Sequence, residues 1–168
     1  MRWWHVAFFF VVVAFDGGKS VCAQEDTAGV KVLFVYDTLD DKSSFFITTF
    51  REELTALPCT VDEAAVENSK TGDLSHYSLL VIYSRIMAFD MKSPVRKWIE
   101  GQKSFGKKKI ALFVTTNRWF LEKHFSRLKD LLGKRNADVV DAVSMATKDL
   151  TDEQKKAWVR ENLAKVVK

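Results

Sequence analysis

Three unbroken apolar runs set the limits on what this chain can become. Val32 to Tyr36, Leu79 to Tyr83 and Ile110 to Val114 are short, flanked by polar residues, and lack the polar alternation of a half-exposed strand. Runs of this kind suit strands covered on both faces, as in a parallel sheet with helices above and below. The segments between them carry helical spacing instead. Phe46, Phe50 and Leu54 repeat every four residues after the first run; Val95, Trp98 and Ile99 follow Pro94 after the second; Leu121, Phe125, Leu128, Leu131 and Leu132 follow the third.

Two weaker strands complete the series. Thr60 to Val66 alternates loosely beyond Pro58, as an edge strand does, and Ala137 to Met145 is a fifth strand. Helical starts are legible at about Ser43, at Pro94 and at Thr151, whose hydroxyl can cap and is followed by Asp152 and Glu153. Gly133 falls near the end of the third helix. Strand alternating with helix implies right-handed parallel crossovers. Five strands in the space available predict an α/β three-layer sandwich: one sheet of order 2-1-3-4-5 with helices on both faces and ligands at the carboxyl ends of its strands.

The 168 residues allow one domain with a real core. A composition 47% hydrophobic and 29% charged is globular, and 22 acids against 26 bases argues against a dedicated nucleic-acid binder. The first residues read as an export signal over 1–23, followed by one domain over 24–168. Met1-Arg2 precedes the apolar block Val6 to Phe15; Asp16 to Ser20 breaks it, and Val21-Cys22-Ala23 offers small residues for a cut after Ala23. The block is short for a span of about 20 residues, which leaves no membrane span after cleavage and predicts a periplasmic or extracellular protein. An uncleaved N-terminal membrane anchor is the alternative. Gly17-Gly18-Lys19-Ser20 falls inside this segment and lacks the strand–loop–helix setting of a nucleotide loop. Cleavage removes Cys22 and leaves Cys59 without an intramolecular partner, as a buried and inert thiol. His76 and His124 are isolated, so no metal site is expected, and no nucleophile–base pairing identifies a catalytic group.

The functional residues should lie in the loops 37–43, 84–93 and 115–120. The first runs Asp37-Thr38-Leu39-Asp40-Asp41-Lys42-Ser43 between a strand and a helix start, where backbone N–H groups converge on an anion. With the Asp73-Leu74-Ser75-His76-Tyr77 lead-in to strand three and the Pro94 helix start, it resembles the flavodoxins, and most closely the flavodoxin-like menaquinone-dependent protoporphyrinogen oxidases. The resemblance covers Lys31 to Lys168 and implies a flavodoxin-like fold with bound flavin mononucleotide (FMN). Thr38, Asp40, Lys42 and Ser43 would then lie at the phosphate. Arg85 and Phe89, with Met87 beside them, would lie near the ring in the second loop, and Thr116, Asn117 and Trp119 in the third.

The loop also departs from the family pattern. Aspartates stand where the family has a hydroxyl, at Asp37, and a glycine, at Asp41. A carboxylate about 4 Å from a phosphate charge is repelled by roughly 4 kcal/mol at an effective dielectric of 20. Two readings therefore stay open. One is an exported FMN-dependent electron carrier or oxidoreductase with a degenerate phosphate loop and a redox partner protein. The other is a secreted module that has lost flavin and acts as a non-enzymatic binding domain for a protein or a related small molecule.

Overall fold

The computed structural model describes residues 29–37, 41–67, 73–86, 93–117 and 121–167. The expected signal over 1–23 lies outside them. Among the described residues no helix is long and apolar enough to cross a membrane.

The chain alternates strand and helix: β1 (Val30–Tyr36), α1 (Asp41–Thr55), β2 (Cys59–Ala65), β3 (Leu79–Ile86), α2 (Pro94–Gly101), β4 (Lys109–Thr116), α3 (Leu121–Lys134), β5 (Asp138–Ala146) and α4 (Asp152–Val166). The five strands form one sheet of order β2-β1-β3-β4-β5, every neighbouring pair parallel. The fold is thus a doubly wound α/β sandwich with the strand order expected from the alternation of apolar runs and helical segments. β3 sits at the centre with all eight residues buried.

Alternate residues of the strands feed two cores. Val32, Phe34, Val81, Tyr83 and Phe113 pack toward α1 and α4, with Phe46, Phe50, Val159 and Leu163. Leu33, Val35, Leu80, Ile82 and Leu112 pack toward α2 and α3, with Val95, Ile99, Leu128 and Leu132. The first core is aromatic at its heart. Phe50 is fully buried and its ring lies 5.2 Å from that of Phe34, 5.4 Å from Tyr83 and 4.9 Å from Phe113. Polar ties close the layer from outside. Arg51 donates to Glu63 and to the Tyr36 hydroxyl, while Arg160 of α4 donates to Glu53 of α1.

Several boundaries differ from the sequence expectation. α1 begins at Asp41, two residues before Ser43, so Asp41 occupies its first turn, where a carboxylate suits the positive helix end. α3, by contrast, ends at Lys134 with Gly133 near its end, as expected; the left-handed residue beyond it is Asn136 (φ 58°), whose N–H donates to the Gly133 carbonyl. The deepest residues of α4 are Val159, Asn162 and Leu163, with Trp158 half-buried. Asn162 is accommodated because its amide donates to the Trp158 carbonyl at 2.7 Å. Cys59 is half-buried, and burial pushes its thiol up. A bulge opposite Ile110 and Ala111 skips Val140, which is left 43% exposed. The expected Thr151 cap forms, making a reciprocal capping box with Gln154, and α2 starts at Pro94 as expected, with Ser93 as its cap.

Replacing Phe50 with Ala should cost about 3–5 kcal/mol, measured by denaturant unfolding, because three ring contacts disappear into a site that cannot collapse. A loss under about 1 kcal/mol would contradict this packing.

Candidate functional site

A parallel sheet brings the ends of its strands to one edge, and here the carboxyl ends carry Asp37, Arg85, Thr116 and Thr147. α1 and α4 begin at the same edge, each 15 residues long, and present the partial positive charge of their N-termini there. Between them opens a cleft of about 360 Å³. Phe45 and Phe46 line it together with Asp41 and Lys42 of α1, Asn117 beyond β4, Thr147 and Lys148 beyond β5, and Asp152 and Lys155 of α4. Three lysines face two aspartates, so the cleft favours an anion bearing an apolar portion. Lys155 is committed in part: its ammonium donates to Asp152 at 2.7 Å and lies 5.4 Å from the centre of the Phe45 ring.

The residues expected from the sequence divide into three groups. Lys42 and Asn117 come together in the cleft, both exposed. Ser43, Arg85 and Thr116 are buried at the same edge and act as its framework. The Ser43 hydroxyl hydrogen-bonds the Tyr83 phenol, which also pairs with Thr115 at 3.0 Å and is pushed above its ordinary range by burial. The Thr116 carbonyl, expected to meet a ligand, accepts both the N–H and the hydroxyl of Thr147, each at 2.9 Å, so its lone pairs are occupied. The Asn117 carbonyl holds the Lys148 N–H at 2.9 Å in the same way. Thr38, Asp40, Phe89 and Trp119 lie outside the described residues, as does Met87.

Thr147, Lys148 and Lys155 were not foreseen. The polar stretch Thr147 to Thr151 follows the last strand, so it forms a fourth loop at the carboxyl edge. Strand order alone would have added it to the other three. Among the described residues no group of three His, Cys, Asp or Glu side chains could hold a metal ion.

Asp37 is the unusual member of the edge. Its side chain has 0% exposure; it follows β1 in the phase of Leu33 and Val35, whose side of the sheet is covered by α2 and α3. Oδ2 accepts from the Ser84 hydroxyl at 3.3 Å, and the Arg85 backbone N–H also donates to the carboxylate. Oδ1 has no hydrogen-bond partner among the described residues. Burial is the largest influence on this group and, with the charge of Glu67, pushes it up to about 7; the bonds from Arg85 and Ser84 and the Arg85 charge pull the other way. Burial also lowers the Arg85 guanidinium, against the opposing charge of Asp37.

No protein-family model matches the chain, and no curated protein matches it. Solved structures do resemble it. A Streptococcus pneumonia TIGR4 flavodoxin is 12% identical with a TM-score of 0.61, covering 82% of this chain and 99% of its own. A short-chain flavodoxin associated with a PDU bacterial microcompartment is 13% identical with a TM-score of 0.59, over 83% of this chain and 99% of its own. General stress protein 14 of Treponema denticola, in complex with FMN, is 13% identical with a TM-score of 0.61, over 81% and 97%. At such identities the likeness is one of fold.

The buried carboxyl has a consequence for stability. Its folded value, about 7, lies above the ordinary 3.8. Folding therefore retains a proton that the unfolded chain releases, and stability falls as pH rises between those two values. Asp37→Asn removes this penalty. The variant should unfold like the native protein near pH 4 and gain stability over it as pH approaches 7, reaching up to about 4 kcal/mol. A pH-independent difference in chemical denaturation would contradict a raised carboxyl.

Proposed function

We propose that this chain is an exported flavodoxin-like domain that holds FMN at the carboxyl edge of its sheet and serves in electron transfer, with a degenerate phosphate loop. The observation that carries the reading is the cleft in which two helix N-termini, Lys42 and Lys148 meet beside an aromatic lining, in a fold whose solved neighbours are flavodoxins. One of those neighbours is in complex with FMN. The apolar block of residues 1–23 supports export.

The donor set suits a phosphorylated, ring-bearing ligand. Lys42, Lys148 and the first N–H groups of α1 offer charge and hydrogen bonds to a phosphate, and Phe45 offers apolar surface. Asn117 supplies a polar edge, and Arg85 adds buried positive charge behind it. When bound, FMN would supply the redox chemistry, and the protein would position the ring and set the charge around it. Thr38, Asp40, Phe89 and Trp119 belong to the same proposal. A redox partner protein follows from the electron-transfer role.

The second reading, a secreted binding module without flavin, is favoured by one feature: the buried Asp37 carboxyl at the position where the family has a hydroxyl. Titration with FMN, followed by tryptophan emission, separates the two. The flavin reading predicts saturable quenching in the micromolar range, and its absence at high micromolar ligand would overturn it. Within that titration, Lys42→Ala and Lys148→Ala should each weaken FMN about two- to fivefold and Asp41→Asn should tighten it by a similar factor, the scale of single exposed charges. Unchanged affinities in all three variants would place the phosphate elsewhere.

A further inference from the structure

The modest net charge of this chain conceals a division. Residues 94–135 hold twelve Lys and Arg against three acids, whereas the remainder holds fourteen against nineteen. The fold gathers that excess on one side. α2 and α3 both cover the face of the sheet fed by Leu80, Ile82 and Leu112, and together they carry six bases and three acids. The opposite layer, α1 with α4, carries six of each. Lys123, Arg127 and Lys134 recur at spacings of four and seven along α3, so they share one side of it. Arg127 and Lys134 line, with Arg96 of α2, the groove between the two helices. Of the three acids, Glu100 already pairs with Arg96 at 2.9 Å.

This basic surface continues onto the amino edge of the sheet. The turn after α2 carries Lys103, Lys107, Lys108 and Lys109 and no acid. Backbone bonds fix it: the Phe105 N–H donates to the Arg135 carbonyl and the Lys107 N–H to that of Asn136, each at 2.7 Å. Lys108 is occupied internally, donating to the Ser75 and Tyr77 carbonyls, while Lys103, Lys107 and Lys109 are exposed. Lys107 stands out. Its φ of 60° lies in the left-handed region, which glycine and asparagine tolerate better than lysine. The backbone gives no reason for a lysine there, and the electrostatics of the surface supply one.

We propose that the α2–α3 side, with the amino edge beside it, is a docking surface for an anionic membrane. Two observations select lipid over other polyanions. The chain enters the sheet at this edge: Val32 lies in register with Leu79, and Leu79 with Lys109, which puts the entry two strand spacings, about 10 Å, from Lys109. The apolar block Val6 to Phe15 precedes that entry. An export signal is read at a membrane and an uncleaved one stays in it, so the block brings this edge to a bilayer in either case. The surface is also rich in lysine and offers no aromatic platform. Among the described residues the one large hydrophobic side chain that is exposed is Val140, and the half-buried Phe125 ring already carries the Lys129 ammonium 5.3 Å from its centre. Lysine charges near a bilayer are drawn to anionic lipid, whereas single-stranded nucleic acid is held by stacking on exposed rings. Docking here leaves the cleft between α1 and α4 uncovered, because that cleft opens in the opposite layer at the carboxyl edge. The surface acts whether or not flavin is bound.

The test sediments the purified full chain with vesicles, comparing pure phosphatidylcholine with a mixture containing about one-third phosphatidylglycerol. The apolar block inserts into both alike, so the ratio of the two affinities isolates the charge. At about 0.1 M salt the anionic vesicles should be preferred at least about tenfold. At about 1 M salt, where the screening length falls from about 10 Å to about 3 Å, the preference should vanish. A lysine close to an anionic surface strengthens binding by about fivefold. Lys107→Asn should therefore lower the preference about fivefold without loss of thermal stability, since asparagine suits the left-handed backbone. Lys109→Gln and Lys134→Gln should act alike. Lys156→Gln, an exposed lysine of α4 in the opposite layer, should leave the preference unchanged within about twofold. Equal binding to both vesicles at about 0.1 M salt, or a loss from Lys156→Gln as large as from the other variants, would overturn the proposal. So would tighter salt-sensitive binding to an oligonucleotide than to the anionic vesicles, which would assign the surface to nucleic acid.

Discussion

Covering a parallel sheet on both faces leaves its polar backbone and its functional side chains only the strand ends at which to meet water. The rest of this structure follows from that constraint. β3 is buried along its whole length, and helices occupy both faces of the sheet. The carboxyl edge is therefore where charge collects, and two helix N-termini, three lysines and several aspartates converge on it. The aromatic cluster around Phe50 makes the framework stiff enough to hold those groups in fixed relation.

The architecture was legible because burial writes itself into composition. Continuous apolar runs mark the three inner strands, the loosely alternating Thr60–Val66 marks an edge, and four-residue spacing marks the helices. The start of α1 was misplaced because Asp41 and Lys42 look like loop residues, although a carboxylate is favoured in a first helical turn. The end of α3 lies at Lys134, beside Gly133 as the sequence suggests, and the left-handed backbone beyond it falls to Asn136, since asparagine tolerates that conformation better than most residues.

The site was legible only in part. Lys42 and Asn117 reach the cleft, but Thr147, Lys148 and Lys155 belong to the connection after the last strand, which carries no motif. Thr116 shows the opposite case. The backbone at this strand end is expected to meet a ligand, yet the Thr116 carbonyl is occupied in anchoring Thr147. Asp37 stands out in the sequence only as an acid where the family has a hydroxyl, and its burial is not legible there. Both faces of β1 are covered, so a side chain just beyond its end is buried in either phase, and an ordinary aspartate there becomes a buried, protonatable group.

A buried carboxyl just beyond the end of β1 gives the carboxyl edge of the sheet two electrostatic states in place of one. Ser84 and Arg85 hold the group in position, while burial and Glu67 keep its proton within reach of neutral pH. The most direct measurement is the carboxyl ¹³C shift of Asp37 followed by NMR across the pH range. The structure predicts a single titration with its midpoint at about 7. A midpoint near the ordinary value of about 4 would mean that the carboxyl is solvated and charged at neutral pH, contradicting the account of this edge.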